Sequence, residues 1–278
     1  MTNSATKRAD RKHPWLRRIL VAVLVLVVCA MAAMFVYLLT YSHADATALE
    51  AMSVNSDDGV QVMPQSGMVV FRPTGTTAPT GFIFYPGGKV DRDAYAPVMR
   101  RIAQRGHLVV LLDVPFHLAI FETDAADRAI AAVPGIETWV FGGHSLGGVA
   151  AAMHAKAMLT TPVSPDKDAA ASGGDKPAPS VVGLVLMASY PTNDMADLPL
   201  AVLSLRGTKD GLVTPDKWAK YNPFLPAAAR LAELPGGNHA QFGSYGPQKG
   251  DEAADVTEQV QWDWVSDEVT AFLSKLDE

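Results

Sequence analysis

The stretch 142–148, with the sequence Gly-Gly-His-Ser-Leu-Gly-Gly, limits the possible folds of this chain more than any other feature. A short apolar run precedes it, and the alanine-rich run 149–158 has the composition of a helix. Ser145 is therefore predicted to lie in a tight turn between a strand and a helix. Gly143 and Gly147, two positions to either side, leave room for a strained backbone. This pattern is typical of a nucleophile elbow, whose serine hydroxyl faces the positive end of the following helix.

A serine hydroxyl becomes a strong nucleophile only when a base removes its proton and an acid holds that base in the right tautomer. After such an elbow the acid comes next along the chain, followed by the histidine. Only His154 and His239 lie downstream of Ser145. His154 falls within the helix after the turn, so we interpret it as a partly buried or surface helix residue. His239 follows the apolar segment 230–234 in a glycine-rich loop, and we predict that it is the base, exposed on a mobile loop.

The acid is predicted to be Asp210. It directly follows the buried strand predicted over 199–206 and precedes a glycine, which places its carboxylate in a tight turn at a strand end. Asp194 and Asp197 are alternatives, because the acid can also follow the preceding strand, predicted over 181–188. We favour Asp210 because the other two lie in a looser segment.

An oxyanion hole requires two N–H donors. One is predicted to be the backbone N–H of Leu146, the residue after the nucleophile, and the other comes from the loop after the third strand. That loop is 86–90, Pro-Gly-Gly-Lys-Val, in which glycines allow the backbone to approach a substrate carbonyl closely. We predict that Gly88 is the donor, with Gly87 or Lys89 as alternatives if the register differs by one residue.

Three stretches carry a resemblance to a known family: 85–90, 142–148 and 237–246. From 69 to 276 the chain resembles the α/β-hydrolase fold and, within it, the dienelactone-hydrolase-like group. The resemblance implies a catalytic triad of Ser145, Asp210 and His239, in agreement with the assignment from chain order. Dienelactone hydrolases use a cysteine nucleophile, whereas the single cysteine here is Cys29, far upstream. The resemblance therefore supports the reaction type and not a lactone-opening specificity.

The N-terminal segment 19–39 is uncharged and almost wholly apolar. As a helix its roughly 21 residues would extend about 31 Å, enough to cross the hydrocarbon core of a bilayer. Six basic residues precede it, and the next lysine or arginine is Arg72. The positive-inside rule therefore predicts a single-pass signal anchor in the cell membrane with the following domain outside the cytoplasm. The alternative is a protein secreted after cleavage near Ala46, but the apolar stretch is longer than that of a usual signal peptide.

We predict four parts: a basic cytoplasmic arm (1–18), a transmembrane helix (19–39), a stalk (40–52) and a hydrolase domain (53–278). Strands alternate with helices in the last part, which predicts an α/β fold with a mostly parallel central sheet and helices on both faces. The stretch 160–180 is predicted to be a disordered surface loop, because its composition cannot bury apolar surface.

No large cap domain is expected, because only the short segment 189–198 separates two predicted strands where lids are commonly inserted. The pocket should therefore be shallow and open. We predict that Tyr85, Phe116, Tyr190 and Phe242 form substrate-binding walls, with His117 and Tyr245 as further candidates.

The composition excludes several classes of function. A net charge of −6 gives no basic patch for nucleic acid, and one cysteine excludes an internal disulfide. We expect neither a metal nor an organic cofactor, and a monomer acting on a small-molecule or lipid-like ester. The predicted reaction is hydrolysis of carboxylic esters through an acyl-enzyme on Ser145. Alternatives are acyl transfer to an acceptor of the cell envelope, or a non-catalytic binding module.

Overall fold

A computed structural model describes residues 14–53, 58–75, 77–161 and 179–278. It divides into two compact units at Thr40–Tyr41. The first unit contains helix α1, Pro14–Leu39, which is long and apolar enough to cross a membrane by length and composition. Residues 1–13 of the predicted basic arm and residues 162–178 of the predicted disordered loop lie outside the described residues.

The second unit is built on a sheet that has eight strands in the described part of the chain. These are β1 Val60–Gln65, β2 Met68–Pro73, β3 Thr80–Tyr85, β4 Val109–Leu112, β5 Thr138–His144, β6 Ser180–Met187, β7 Ala201–Gly207 and β8 Arg230–Leu234. Their order across the sheet is β1-β2-β4-β3-β5-β6-β7-β8. The pairs β1–β2 and β2–β4 are antiparallel, and all later pairs are parallel. The mostly parallel sheet predicted from the sequence is confirmed.

Helices cover both faces of this sheet. They are α2 Ala46–Ala51, α3 Ala96–Gln104, α4 Ala125–Ala132, α5 Leu146–Thr160, α6 Pro215–Tyr221 and α7 Glu258–Leu276. Successive side chains of a strand point to opposite faces, so each strand supplies two separate cores. In β3, Phe82 and Phe84 pack in the core that includes α3 and α7, whereas Ile83 and Tyr85 pack in the core that includes α4 and α5.

Residues 41–52 of the segment predicted as a stalk belong to the second unit and make specific contacts with the rest of it. The backbone of Ser42 pairs with the loop after β3: its N–H donates to Lys89 O and its carbonyl accepts from Asp91 N, both at 2.8 Å. The Asp45 carboxylate accepts from Ser244 Oγ at 2.7 Å and from Ala48 N at 3.0 Å, where it caps α2. Ser42 and Asp45 therefore belong to the folded domain, because their backbone and side-chain polar groups find partners in it.

The parallel strands place their carboxyl ends at one edge of the sheet, which is where α/β proteins bind ligands. The loops after β3, β5, β6, β7 and β8 all leave the sheet at this edge. The predicted oxyanion loop, Ser145, Asp210 and His239 lie on four of these five loops.

Candidate active site

Ser145 lies in the sharp turn between β5 and α5. Its backbone has φ 51° and ψ −121°, a conformation that residues with a side chain rarely adopt. Two hydrogen bonds to the neighbouring strand end hold it: Ser145 N donates to Met187 O at 3.0 Å, and Ser189 Oγ donates to Ser145 O at 2.7 Å. The turn thus has the strained strand–turn–helix geometry of a nucleophile elbow.

The glycines around Ser145 are required by close backbone contacts. A Cβ added at Gly143 would lie 2.4 Å from the carbonyl carbon of Gly147. A Cβ at Gly147 would lie 2.3 Å from the carbonyl oxygens of Tyr85 and Pro86, at the end of β3. Side chains at these positions would therefore push α5 away from both β5 and the loop after β3.

Asp210 and His239 form a buried pair. Nδ1 of His239 lies 3.1 Å from each carboxylate oxygen of Asp210, and both side chains are almost completely buried. Oδ1 of Asp210 also accepts hydrogen bonds from Leu212 N at 2.9 Å and Val213 N at 2.7 Å. These donors fix the carboxylate, which in turn fixes the orientation of the imidazole ring.

The alternative acids have different surroundings. Asp194 and Asp197 are both exposed, and Oδ1 of Asp194 accepts a hydrogen bond from Ala196 N in a local turn. Of the three carboxylates considered from the sequence, Asp210 is therefore the partner of His239. His154 contacts Asp127 at 2.8 Å and stacks on Phe141, which fits its interpretation as a partly buried helix residue.

The imidazole of His239 lies beside the elbow. Its ring centroid is 4.5 Å from that of His144, the residue that precedes Ser145. Nε2 of His239 is buried and has no hydrogen-bond partner within the part of the chain that the structure describes. It is therefore available to the serine hydroxyl or to substrate. The expectation of an exposed base is wrong, because only 1% of the surface of His239 is accessible.

Sequence reasoning missed a second buried pair, formed by Tyr95 and His144. The Tyr95 hydroxyl lies 2.8 Å from Nδ1 of His144 and accepts a hydrogen bond from Gly87 N at 3.0 Å. Burial lowers the pKa of His144 well below its usual value, and the charge of His239 adds to this effect. His144 is therefore neutral near pH 7, and its Nδ1 accepts the Tyr95 O–H.

These contacts distinguish the candidate oxyanion donors. Gly87 N–H donates to Tyr95, and Lys89 N–H donates to the carbonyl oxygen of His117 at 2.7 Å. Gly88 is the one of the three whose N–H is not committed to these partners. It also lies against Leu146, because a Cβ at Gly88 would be 2.9 Å from Cδ2 of that leucine. Leu146 begins α5, so its N–H has no partner within the helix.

Comparison with known proteins agrees with this geometry. A family model described as the alpha/beta hydrolase family matches residues 81–263. This chain belongs to the alpha/beta hydrolase family. A search of curated proteins found no match.

Solved structures show the same fold. The hydrolase is similar to the apo form of esterase 2 from Thermogutta terrifontis, with 15% identity and a TM-score of 0.52 over 80% of this chain and 96% of that one. It is also similar to the esterase domain of a Rhodothermus marinus protein, with 13% identity and a TM-score of 0.50 over 74% of this chain and 90% of that one. The dienelactone-hydrolase-like subgroup remains a prediction.

A further carboxylate, Asp251, joins the two loops that carry the acid and the base in this alpha/beta hydrolase. Its Oδ1 accepts from Gly211 N at 3.0 Å, and its Oδ2 accepts from Ala240 N at 2.8 Å. These donors are the residues immediately after Asp210 and His239. Sequence reasoning missed Asp251 because no local pattern marks it.

The residues predicted as pocket walls differ in how deeply they are buried. Tyr85 is completely buried, and its hydroxyl donates to Thr123 O at 2.7 Å and accepts from Ala126 N at 3.1 Å. The expectation that it lines an open pocket is wrong, because it faces the core shared with α4 and α5. Phe242 is also completely buried and stacks on His144, so the expectation that it forms a wall of an open pocket is wrong as well.

Phe116 and Tyr190 stay candidate walls of the hydrolase. Phe116 is half-exposed, and Tyr190 is partly buried and stacks on Tyr221 with ring centroids 4.2 Å apart. Of the further candidates, His117 stacks on Tyr41, whereas Tyr245 is mostly buried. Within the described ranges, no three His, Cys, Asp or Glu side chains are placed to hold a metal ion.

Proposed function

We propose that this protein is a membrane-anchored serine esterase that cleaves carboxylic esters through an acyl-enzyme on Ser145. The observation that carries the proposal is the buried Asp210–His239 pair, whose ring lies 4.5 Å from that of His144, next to the strained Ser145. Such a pair supplies a base held in a fixed tautomer. The neighbouring elbow supplies a nucleophile and helix N–H donors.

In the proposed reaction, Ser145 Oγ attacks the ester carbonyl carbon while Nε2 of His239 takes the hydroxyl proton. The N–H groups of Leu146 and Gly88 stabilise the negative oxygen, and donors of this kind are worth about 2.7–4 kcal/mol each. The protonated His239 then gives its proton to the leaving alcohol. Water, activated by the same ring, attacks the acyl-enzyme and releases the acid and free Ser145.

The choice of esters rests on the elbow geometry and on the solved neighbours. Both neighbours are esterases, and the Thermogutta terrifontis enzyme has also been solved with bound propionate. No metal or cofactor takes part in the proposed steps. Acyl transfer to an envelope acceptor would use the same acyl-enzyme, with an alcohol in place of water.

Helix α1 supports the proposed anchoring, and the basic residues before it support an extracytoplasmic domain. The contacts after the helix favour an uncleaved chain over secretion. Cleavage near Ala46 would remove Asp45, which caps α2 and accepts a hydrogen bond from Ser244 at 2.7 Å.

The test is a panel of p-nitrophenyl esters of increasing acyl length, hydrolysed by wild type and by Ser145→Ala. We expect Ser145→Ala to lower kcat by at least about 10⁴-fold. Asp210→Asn should lower it by about 10³–10⁴-fold, and the matched variant Asp194→Asn should be unchanged. If wild type is inactive and folded Ser145 fails to react with a fluorophosphonate, the protein is a binding module. Ester exchange with an added alcohol in preference to hydrolysis would show an acyltransferase.

A further inference from the structure

Exposed apolar side chains are concentrated on one loop of the domain. In the described part of residues 41–278, six large apolar side chains are exposed, and three of them lie within 116–121. These are Phe116, Ile120 and Phe121, with 49%, 41% and 60% of their surface accessible. The rings of Phe116 and Phe121 are in edge-to-face contact, with centroids 6.0 Å apart. Single exposed apolar residues are ordinary, but a contiguous cluster indicates an interaction surface.

The loop is held in a strained conformation. Phe116 and His117 are consecutive non-glycine residues with φ of 55° and 56°, in the left-handed region. Two contacts of His117 hold the loop in place: its carbonyl accepts from Lys89 N at 2.7 Å, and its ring stacks on Tyr41 with centroids 3.8 Å apart. The loop is thereby joined to the oxyanion loop on one side and to the start of the domain on the other.

Tyr41 connects this loop with the proposed membrane span. It follows Leu39, the last residue of α1, by two positions along the chain. Tyrosine is enriched where spans leave the hydrocarbon core. A surface that contacts Tyr41 is therefore connected, through Thr40, to the end of the proposed span.

We propose that the loop 116–121 inserts Phe116, Ile120 and Phe121 into the interfacial layer of the bilayer that holds α1. The ester substrate is then a lipid-like amphiphile taken from that bilayer. This inference rests on the proposed function and names its substrate class. Leu118, between the inserted residues, lies against the oxyanion loop: its Cδ2 would be 3.5 Å from a Cβ at Gly88. An ester carbonyl at the membrane surface would therefore be presented close to the proposed oxyanion donors.

Insertion is tested by fluorescence on the full chain, independently of activity. Cys29 is the single cysteine, so the variant Cys29→Ser has no thiol, and one cysteine introduced into it can be labelled alone. An NBD label is placed at Phe121→Cys or, as control, at Leu231→Cys, which is 43% exposed on the edge strand β8. In vesicles of phosphatidylcholine and phosphatidylglycerol, we expect blue-shifted emission and quenching by spin-labelled lipid at 121 only. Equal emission and quenching at both positions would overturn the proposal.

The substrate class is tested with the full chain reconstituted in the same vesicles. We expect Phe121→Ser and Ile120→Ser each to lower kcat/KM for membrane-embedded p-nitrophenyl palmitate by about tenfold or more. Soluble p-nitrophenyl acetate should be hydrolysed at the wild-type rate, and Leu231→Ser should change neither rate. Equal losses on both esters, or no loss on either, would overturn the substrate assignment. If wild type cleaves neither ester, the proposed function fails, whereas the fluorescence result still decides whether the loop inserts.

Discussion

Replacing Asp251 with alanine should lower kcat with little change in KM. Its two carboxylate oxygens accept hydrogen bonds from Gly211 N and Ala240 N, at 3.0 and 2.8 Å. These two donors immediately follow the proposed acid and the proposed base. The alanine variant leaves both N–H groups without their acceptor, so the loops after β7 and β8 lose a direct connection. Both carboxylate oxygens of Asp251 bond to backbone donors beside the proposed acid and base, so we assign Asp251 a positioning role.

The contacts of Asp251 set the expected size of the losses in stability and in kcat. A hydrogen bond to a charged group contributes about 1.5–3 kcal/mol to stability. Asp251 is only partly buried, so water replaces part of each lost bond, and we expect a total loss of about 2–3 kcal/mol in the free energy of unfolding. A displacement of about 1 Å between catalytic groups can cost about 100-fold in rate. We therefore expect kcat to fall by about 10- to 100-fold, and by less in Asp251→Asn, which keeps one acceptor oxygen.

The assay is ester hydrolysis at saturating substrate, with urea unfolding of the same preparations. The matched control is Asp255→Ala, in the same segment, whose carboxylate is mostly exposed and lies 3.5 Å from Nζ of Lys209. A surface pair of this kind is worth about 0–1 kcal/mol, so kcat should be unchanged. If Asp251→Ala loses stability but retains wild-type kcat, its role is structural only and the positioning argument is refuted.

Two further predictions concern the elbow and the residue before Ser145. Gly147→Ala should abolish activity and destabilise the fold by about 1–3 kcal/mol, because the added Cβ would lie 2.3 Å from two carbonyl oxygens. Thermal unfolding measures the loss of stability. The control is Gly75→Ala, whose added Cβ would have no atom within 4 Å. The lowered pKa of His144 means that the unfolded chain, with a histidine pKa of about 6.5, binds a proton that the folded protein does not. The contribution of His144 to the free energy of unfolding is therefore fully present above about pH 6.5. As the pH falls below this value, the contribution decreases by up to about 1.4 kcal/mol per pH unit. We expect urea unfolding between pH 5 and 7.5 to show a smaller increase of the free energy of unfolding with pH in His144→Gln than in wild type. The same increase in both proteins would contradict the reasoning.

The parts of the site that local sequence determines could be predicted. The turn at Ser145 depends on glycines within three residues of it, and the Asp210 turn depends on its neighbours and on a preceding apolar strand. The order of acid and histidine along the chain then selects His239, because the only other downstream histidine lies inside a helix. These signals act over a few residues, so they are visible without coordinates.

The parts that depend on long-range contacts could not be predicted. Tyr95 and His144 are 49 positions apart, and Asp251 contacts a donor 40 positions away. No periodicity marks such pairs. The error at Tyr85 has another cause: β3 is buried on both faces, so alternation along the strand does not indicate which side chains face the site and which face the opposite core.

The contacts of Ser42 link the proposed anchor to the proposed oxyanion loop. Ser42 bonds to Lys89 O and Asp91 N and thereby holds the loop that contains the proposed oxyanion donor Gly88. Lys89 N in turn holds His117, whose ring stacks on Tyr41. Since 41 and 42 directly follow the end of the first unit, removing them with the span would also remove two supports of the oxyanion loop. On this argument the segment 41–42 supports the proposed active site, and we expect a protein cut near Ala46 to have a less ordered loop at 86–90.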